Sequence, residues 1–360
     1  MDSIRSISID CGNLSVKSKS DLGELHYPNT VREEGYFESQ PIFGNLTQSK
    51  DVGVAFEGEK LVVGEVDERS RFSLDVNISR YKTSDFRKMF LMAVFKHIRA
   101  HNDKVRVVTG IPGRQYRNLE MREEAIQNIK SLEGQYEMDG IEFEIVEIIV
   151  ELQPIATTKY LAFHENGEPK QGAQEFANSK ILVVDLGMGS SDVTIVENGM
   201  MTDVFELQYS MYNVYDEIIS EMQNMKIDGK ASILASENLT SQRIEKQIRE
   251  SMIQNENRAI YIASNQEAFD ITEIVHSKFY WGANAFLQNL RANKINFESF
   301  ANVVLTGGGT HTLLYYLQNS LVNYQNNPRV RFRMPDNVIM ANARGYYIVA
   351  CNPERFLTRI

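Results

Sequence analysis

Cysteine is nearly absent from this 360-residue chain, with only Cys11 and Cys351 present. Two thiols so far apart give neither a disulfide framework nor the paired spacing of a zinc site. Of the six histidines, His97, His164 and His311 form no ligand cluster, and a core or surface place suits each better. Long apolar runs are missing too: no stretch approaches the ~18 apolar residues of a membrane span. Residues 1–5 lead straight into a strand pattern, without the apolar centre of a signal peptide. Positive charge is in deficit. A formal net charge of −10 argues against nonspecific binding of DNA or anionic membrane by the chain as a whole. Neither a short-period repeat nor a low-complexity tract occurs. Together these absences lead us to expect a cytoplasmic protein.

What remains is the composition of a folded protein, 42% hydrophobic and 24% charged. The length suits two domains. Residues 4–10 and 14–18 read as a hairpin, and the polar, turn-rich stretch 20–80 reads as an inserted subdomain, with strands expected at 51–56 and 60–65. A helix is expected over 84–101, with Ser84 suited to its N-cap and Phe86, Met89, Phe90, Ala93, Val94 and His97 on one face. A buried strand over 104–109 ends in the sharp turn Gly110-Ile111-Pro112-Gly113. A strand over 141–149 precedes Glu151-Leu152-Gln153-Pro154-Ile155-Ala156 and a helix to about residue 163, and 164–179 reads as a linker. The plan then repeats. We expect a hairpin over 181–205, helices over 214–225, 241–250 and 270–291, a strand over 302–306 and a helix over 310–323. A strand over 329–334 and a terminal helix from 341 complete it. Strands followed by helices in both halves argue for an α/β architecture. The expected domains are 1–163, completed by 341–360, and 180–340 with an insertion at 214–295.

Two turns carry the chemistry. The first is Ile7-Ser8-Ile9-Asp10-Cys11-Gly12-Asn13-Leu14-Ser15-Val16-Lys17, and the second runs from Ile181 through Asp185-Leu186-Gly187-Met188-Gly189-Ser190-Ser191-Asp192 to Ile195. In each, a β-branched strand delivers an Asp to a tight turn of small residues. Backbone N–H groups in such a turn can face phosphate oxygens, because glycine permits close approach. Gly12, Asn13, Gly187, Gly189, Ser190 and Ser191 are the donors in question, and the Lys17 ammonium can reach a β-phosphate. An Asp does not favour phosphate, so Asp10 and Asp185 are suited to hold a hydrated Mg²⁺, which keeps several of its waters. Alone, either turn reads as well as an ordinary hairpin. Two of them at the starts of similar halves imply one Mg-nucleotide clamped from both sides, and so an internally duplicated ATPase.

Three further segments join them. Val303-Val304-Leu305-Thr306-Gly307-Gly308-Gly309-Thr310 opens a strand into a glycine turn and a helix, which suits a phosphate or the flat face of a nucleoside. No Gly-Lys-Ser/Thr follows, so this is not a Walker sequence. Gln153 lies between the halves, where an amide can position an attacking water, while Glu151 is a general base if its carboxylate faces the site. A solvent-facing or ion-paired place suits Glu151 better. Ala341-Asn342-Ala343-Arg344-Gly345 puts small residues at the start of the last helix, as close packing at a hinge requires. The methionine-rich stretch 200–225 suits core and interface packing better than a cofactor box.

In this order the segments resemble the phosphate 1, connect 1, phosphate 2, adenosine and connect 2 motifs of the ATPase superfamily that contains actin and the heat-shock chaperones. Val107-Val108-Thr109-Gly110-Ile111-Pro112, Val304–Gly309 and Met340-Ala341-Asn342-Ala343-Arg344-Gly345-Tyr346 resemble the ParM-type plasmid-segregation actins in particular. The resemblance implies an actin-like fold, two duplicated RNase H-like domains flanking a nucleotide cleft, each with an inserted subdomain. It implies ATP and Mg²⁺ as ligands, with Asp10 and Asp185 meeting the metal through water and Leu14 and Met188 among the loop residues at the nucleotide. Asp216 and Glu217 are expected near the ribose, residues 243–246 near the base, and Gly307, Gly308 and Gly309 against the nucleotide. Catalysis is expected from Asp185 and from a water-positioning group, left between Gln153 and Glu151. The implied partners are other copies of the chain in a filament and an adaptor protein bound to centromere-like plasmid DNA, with no direct DNA or membrane binding. Rival readings on the same fold are a small-molecule kinase, for which no acceptor motif is evident, and a cell-shape or division actin, which commonly carries a membrane-binding terminus. A chaperone ATPase is a poorer fit, because those chaperones carry a substrate domain after the ATPase core and this chain ends at Ile360, soon after the last helix.

Overall fold

The computed structural model describes residues 4–34, 53–64, 71–72, 78–227, 230–325 and 329–356. Two sheets organise them. In the first, of six strands, the order is Gly23–Pro28, Ser15–Ser20, Arg5–Cys11, Asp103–Ile111, Ile141–Leu152, Gly134–Met138. Arg5–Cys11 runs antiparallel to Ser15–Ser20 and parallel to Asp103–Ile111, which is parallel in turn to Ile141–Leu152. The second sheet has the order Met200–Leu207, Ser191–Glu197, Lys180–Leu186, Asn302–Thr306, Arg331–Arg333, with the same alternation of antiparallel and parallel pairs. The second sheet thus repeats the first five strands of the first.

Alternation along the strands explains the layers. Leu182, Val184 and Leu186 face a core shared with helices Met211–Gln223 and Thr272–Ala292, while Ile181 and Val183 pack with Ala162, Ala173 and Phe176 on the other face. In the first sheet, Val105 and Val107 join Phe90 and Met89 of helix Ser84–Phe95, and Val108 meets Tyr346 and Val349 of helix Ala341–Cys351. Strands covered on both faces tend to read as continuous apolar runs, as Lys180–Leu186 does through Ile181 to Val184, whereas Arg5–Cys11 is buried from Ile7 to Cys11 while alternating serine with isoleucine. Helix Gln153–Ala162 packs against helix Ala341–Cys351, and a Cβ built on Gly345 would sit 1.9 Å from the Ala156 carbonyl oxygen. Only glycine permits that approach.

Several boundaries differ from expectation. The stretch Gly23–Pro28 adds an edge strand to the first sheet, so the inserted subdomain starts after it, at Thr30–Glu34. That subdomain is a small sheet in which Thr30–Glu34 pairs with Glu59–Val63 and Arg71–Phe72, and Val54–Phe56 with Glu59–Val63. Residues 51, 52 and 65 of the two expected strands lie outside the described residues, as do 357–360 of the terminal segment and 1–3 of the first. The helix expected over 84–101 ends at Phe95, and its cap is Thr83, not Ser84: Thr83 is extended and its Oγ1 accepts from the Phe86 N–H at 3.1 Å. The expected linker 164–179 contains the helix Ala173–Ala177, whose Phe176 is buried. Helices Gly113–Arg117 and Leu119–Lys130 and strand Gly134–Met138 fill a stretch to which the sequence reading assigned no element.

Candidate functional site

A cavity of about 290 Å³ lies where the parallel strands of both sheets end. Its size is at the lower edge of the ~300–1,000 Å³ usual for small-molecule sites, and its place, outside the carboxyl ends of parallel strands, is where α/β sheets bind ligands. Both glycine turns open into it.

In the first turn Asp10 and Lys17 are direct cross-strand partners, and Lys17 Nζ lies 3.4 Å from Asp10 Oδ2. A Cβ on Gly12 would come within 2.7 Å of Lys17 Nζ, so the ammonium lies over the glycine. In the second turn the corresponding cross-strand partners are Asp185 and Asp192. The Gly187 N–H closes that turn on Ser190 O at 2.9 Å. Asn13 spans the gap between the turns: its Nδ2 would lie 2.4 Å from a Cβ on Gly189. Gly307 adopts φ +92°, and a Cβ there would meet Asp185 Oδ1 at 2.3 Å. Glycine is needed at that position for both conformation and room.

Strand Ile141–Leu152 stops one residue before helix Gln153–Ala162, so Gln153 projects from the junction, where its Nε2 donates to Asp10 Oδ1 at 3.1 Å. Asn342, in the first turn of helix Ala341–Cys351, donates from Nδ2 to Asp185 Oδ2 at 2.7 Å and accepts from Thr157 Oγ1 at 2.7 Å. Burial pushes the Asp185 carboxyl up to about 6, with the Asn342 hydrogen bond opposing it and the Asp10 charge adding to it. Asp192 is pushed to about 8 by burial and then by Asp185, although the Gly113 N–H donates to its Oδ1 at 2.8 Å. Among the described residues no three His, Cys, Asp or Glu side chains form a direct metal cage. The donor set instead fits a cation that keeps its waters: Asp10 and Asp185 are buried carboxylates opening into one cavity.

The structure brings Asp10, Gly12, Asn13, Leu14, Lys17, Gln153, Asp185, Gly187, Met188, Ser190, Gly307, Gly308 and Gly309 to the cavity wall. It does not bring five others there. Ser191 is fully buried in its strand. Gly189 sits behind the wall against Asn13 and Tyr212. Glu151 is ion-paired with Lys159. Asp216 accepts from Ser241 Oγ at 2.8 Å, and Glu217 pairs with Lys278 at 3.2 Å. From the same helix Tyr215 lines the cavity instead. Of the 243–246 stretch, Glu245 and Lys246 reach the cavity with neighbouring Gln242 and Arg249, while Arg243 turns to Glu237. The sequence reading missed Arg80, Arg114, Gln115, Glu206 and the part played by Asn342, and it gave Asp192 no role. For Asp192 a signal existed, since it follows Asp185 at the offset that separates Lys17 from Asp10.

Residues 8–155 match the family described as actin like proteins N terminal domain. Among solved structures, the actin-like protein Alp7A shares 14% identity and superposes with a TM-score of 0.72, covering 98% of this chain and 97% of that one. The 15-stranded ParM filament from Clostridium botulinum follows at 15% identity and TM-score 0.69, covering 98% and 100%. The archaeal actin homolog Ta0583 in complex with ADP matches at 14% identity and TM-score 0.65, again over 98% and 100%. No protein with a curated description matches the chain by sequence. The fold is actin-like: the family match covers residues 8–155, and the solved structures share the architecture over nearly the whole chain.

Proposed function

We propose that this actin-fold chain is an ATPase that assembles into filaments in its Mg-ATP-bound state and segregates plasmid DNA. One observation carries the reading: two like hairpins bring Asp10 and Asp185 to a single cavity, with Gln153 bonded to the first. The N–H groups of Gly12, Asn13 and Leu14 from one side, and of Met188 and Ser190 from the other, would meet the phosphates. Asp10 and Asp185 would hold Mg²⁺ through its waters, and the ion supplies charge neutralisation at the phosphates. Gln153, anchored through its N–H on Asp10, would present its carbonyl to the attacking water. Glu151 is the weaker candidate because Lys159 already engages it away from the cavity. Tyr215, Glu245, Lys246 and Gly307 to Gly309 surround the end left for the nucleoside.

Filament assembly follows if the closed, nucleotide-filled shape binds its neighbours more tightly than the open one, since a ligand shifts a conformational equilibrium only by such a difference. The ParM of Clostridium botulinum forms a filament on this fold, and the ParM-like segments of this sequence favour the same use here. A net charge of −10 favours an adaptor protein over direct contact with centromere-like DNA. No described helix is long and apolar enough to cross a membrane. The test is light scattering of the purified protein with Mg-ATP, Mg-ADP or no nucleotide, with phosphate release followed in parallel. A rise specific to ATP followed by phosphate release is expected. Nucleotide binding without assembly at any protein concentration would overturn the filament and favour a kinase acting on a small acceptor.

A further inference from the structure

Arg80 lies in the short helical turn Ile78–Lys82, between the inserted subdomain and helix Ser84–Phe95. Its side chain reaches into the phosphate end of the cavity. NH1 donates to Asn13 Oδ1 at 2.9 Å and NH2 to Cys11 O at 3.1 Å, so both bonds fall on the first glycine turn. The guanidinium stacks 4.8 Å from the Tyr81 ring centroid. Its Nε is buried and has no hydrogen-bond partner among the described residues.

The cation balance of the cavity gives this arrangement its meaning. Lys17 is compensated, with its ammonium on Asp10. Among the described residues no carboxylate pairs with Arg80. Arg80 is half-buried, so its guanidinium has lost part of its hydration without gaining a counter-anion, and a bound anion would compensate it. The planar fork of Arg suits phosphate oxygens, and donors remain once the two bonds to the turn are made. The same arginine also holds Asn13, the residue that spans the gap to Gly189.

We propose that Arg80 contacts the terminal phosphate of a bound nucleoside triphosphate and distinguishes it from the diphosphate. The assignment rests on the nucleotide reading of the cavity. It brings a residue from the turn that follows the inserted subdomain to the reacting end of the ligand. Asn13 acts as its positioning residue by fixing NH1.

The experiment measures dissociation constants of Mg-ADP and of a non-hydrolysable Mg-ATP analogue for wild type, Arg80→Gln, Arg80→Lys and Asn13→Ala, with kcat and KM for phosphate release. Arg80→Gln is expected to weaken the triphosphate analogue by ~10-fold or more, the size of a lost charge-assisted hydrogen bond. It should leave the diphosphate within about twofold and lower kcat. Arg80→Lys, which keeps the charge without the fork, should fall between and carries the test if the Gln variant does not fold. Equal losses for both nucleotides would reduce Arg80 to a clamp on the turn and overturn the proposal, as would no loss for either. Wild type binding neither nucleotide would fell the nucleotide reading itself, a result distinct from either of these.

Discussion

Gln153 donates its side-chain N–H to Asp10 Oδ1 at 3.1 Å. The bond links the junction after one strand to the carboxylate near the end of another, two places along the same sheet. Pro154 follows at the start of the helix, where its fixed φ costs no hydrogen bond and holds the junction. An amide so anchored can orient a water but is too weak a base to deprotonate it.

Replacing Gln153 by Ala is expected to lower the rate of phosphate release at saturating ATP by ~10²-fold, the size of effect when a reacting group is no longer held in position. Nucleotide affinity should change little. Glu151→Gln, which removes only the partner of Lys159, should leave turnover within about twofold. Single-turnover phosphate release on both variants checks this. Loss of hydrolysis in Glu151→Gln with retention in Gln153→Ala would reverse the two roles.

Asp192 makes stability depend on pH. Its carboxyl titrates at about 8 in the folded protein, raised first by burial and then by Asp185, against ~3.9 unfolded. Between those values the folded state keeps a proton that the unfolded state has lost. The contribution is therefore complete below the unfolded value, declines as pH rises, and is gone once pH passes about 8. Asp192→Asn, neutral throughout and still able to accept from Gly113, removes the dependence. Thermal melts without nucleotide from pH 5 to 9 should show the variant gaining on wild type up to about pH 8 and holding its lead beyond.

Gly345 and Gly308 make a matched pair. A Cβ on Gly345 would lie 1.9 Å from backbone oxygen of Ala156, whereas a Cβ on Gly308 would meet nothing within 4 Å. Backbone cannot rotate aside as a side chain can, so Gly345→Ala must part the two helices. Its expected cost is about 1–3 kcal/mol, the range for overpacking. Gly308→Ala should stay within about 0.5 kcal/mol of wild type. Denaturant unfolding of both variants measures the difference.

What the sequence disclosed, and what it hid, divides by locality. Asp10, Gly12, Lys17, Asp185 and Gly187 each belong to a strand–turn–strand written in consecutive residues, and period-two patterning places them before any tertiary contact is known. Arg80, Arg114 and Arg249 come to the same cavity from elements far apart in the chain, and no local pattern marks them. The ribose expectation shows the limit most clearly. Helix Met211–Gln223 does border the cavity, through Met211 and Tyr215. One step along a helix turns the side chain by ~100°, enough to direct Asp216 to Ser241 instead. By sequence Gly23–Pro28 reads as part of the insertion because it is polar, but an edge strand with little burial reads the same way.

Asn342 ties the two connecting helices to the second turn. Its Nδ2 donates to Asp185 and its Oδ1 accepts from Thr157, all three side chains being buried. Asn342→Ala strands a buried carboxylate oxygen of Asp185 and leaves the Thr157 hydroxyl only its 3.4 Å bond with Thr306 Oγ1, at an expected cost of about 1–3 kcal/mol. Asn342→Asp separates the hydrogen bond from simple packing. Its shape is conserved and it can still accept from Thr157, but ionised it offers Asp185 a second negative charge in place of a donor. Protonated, it can donate again. Denaturant unfolding of Asn342→Asp should therefore fall close to wild type at pH 5 and well below it at pH 8, measured against the wild-type curve at each pH. No deficit at either pH would mean that residue 342 acts through its volume, leaving Asp185 to be oriented by the Gly307 turn alone.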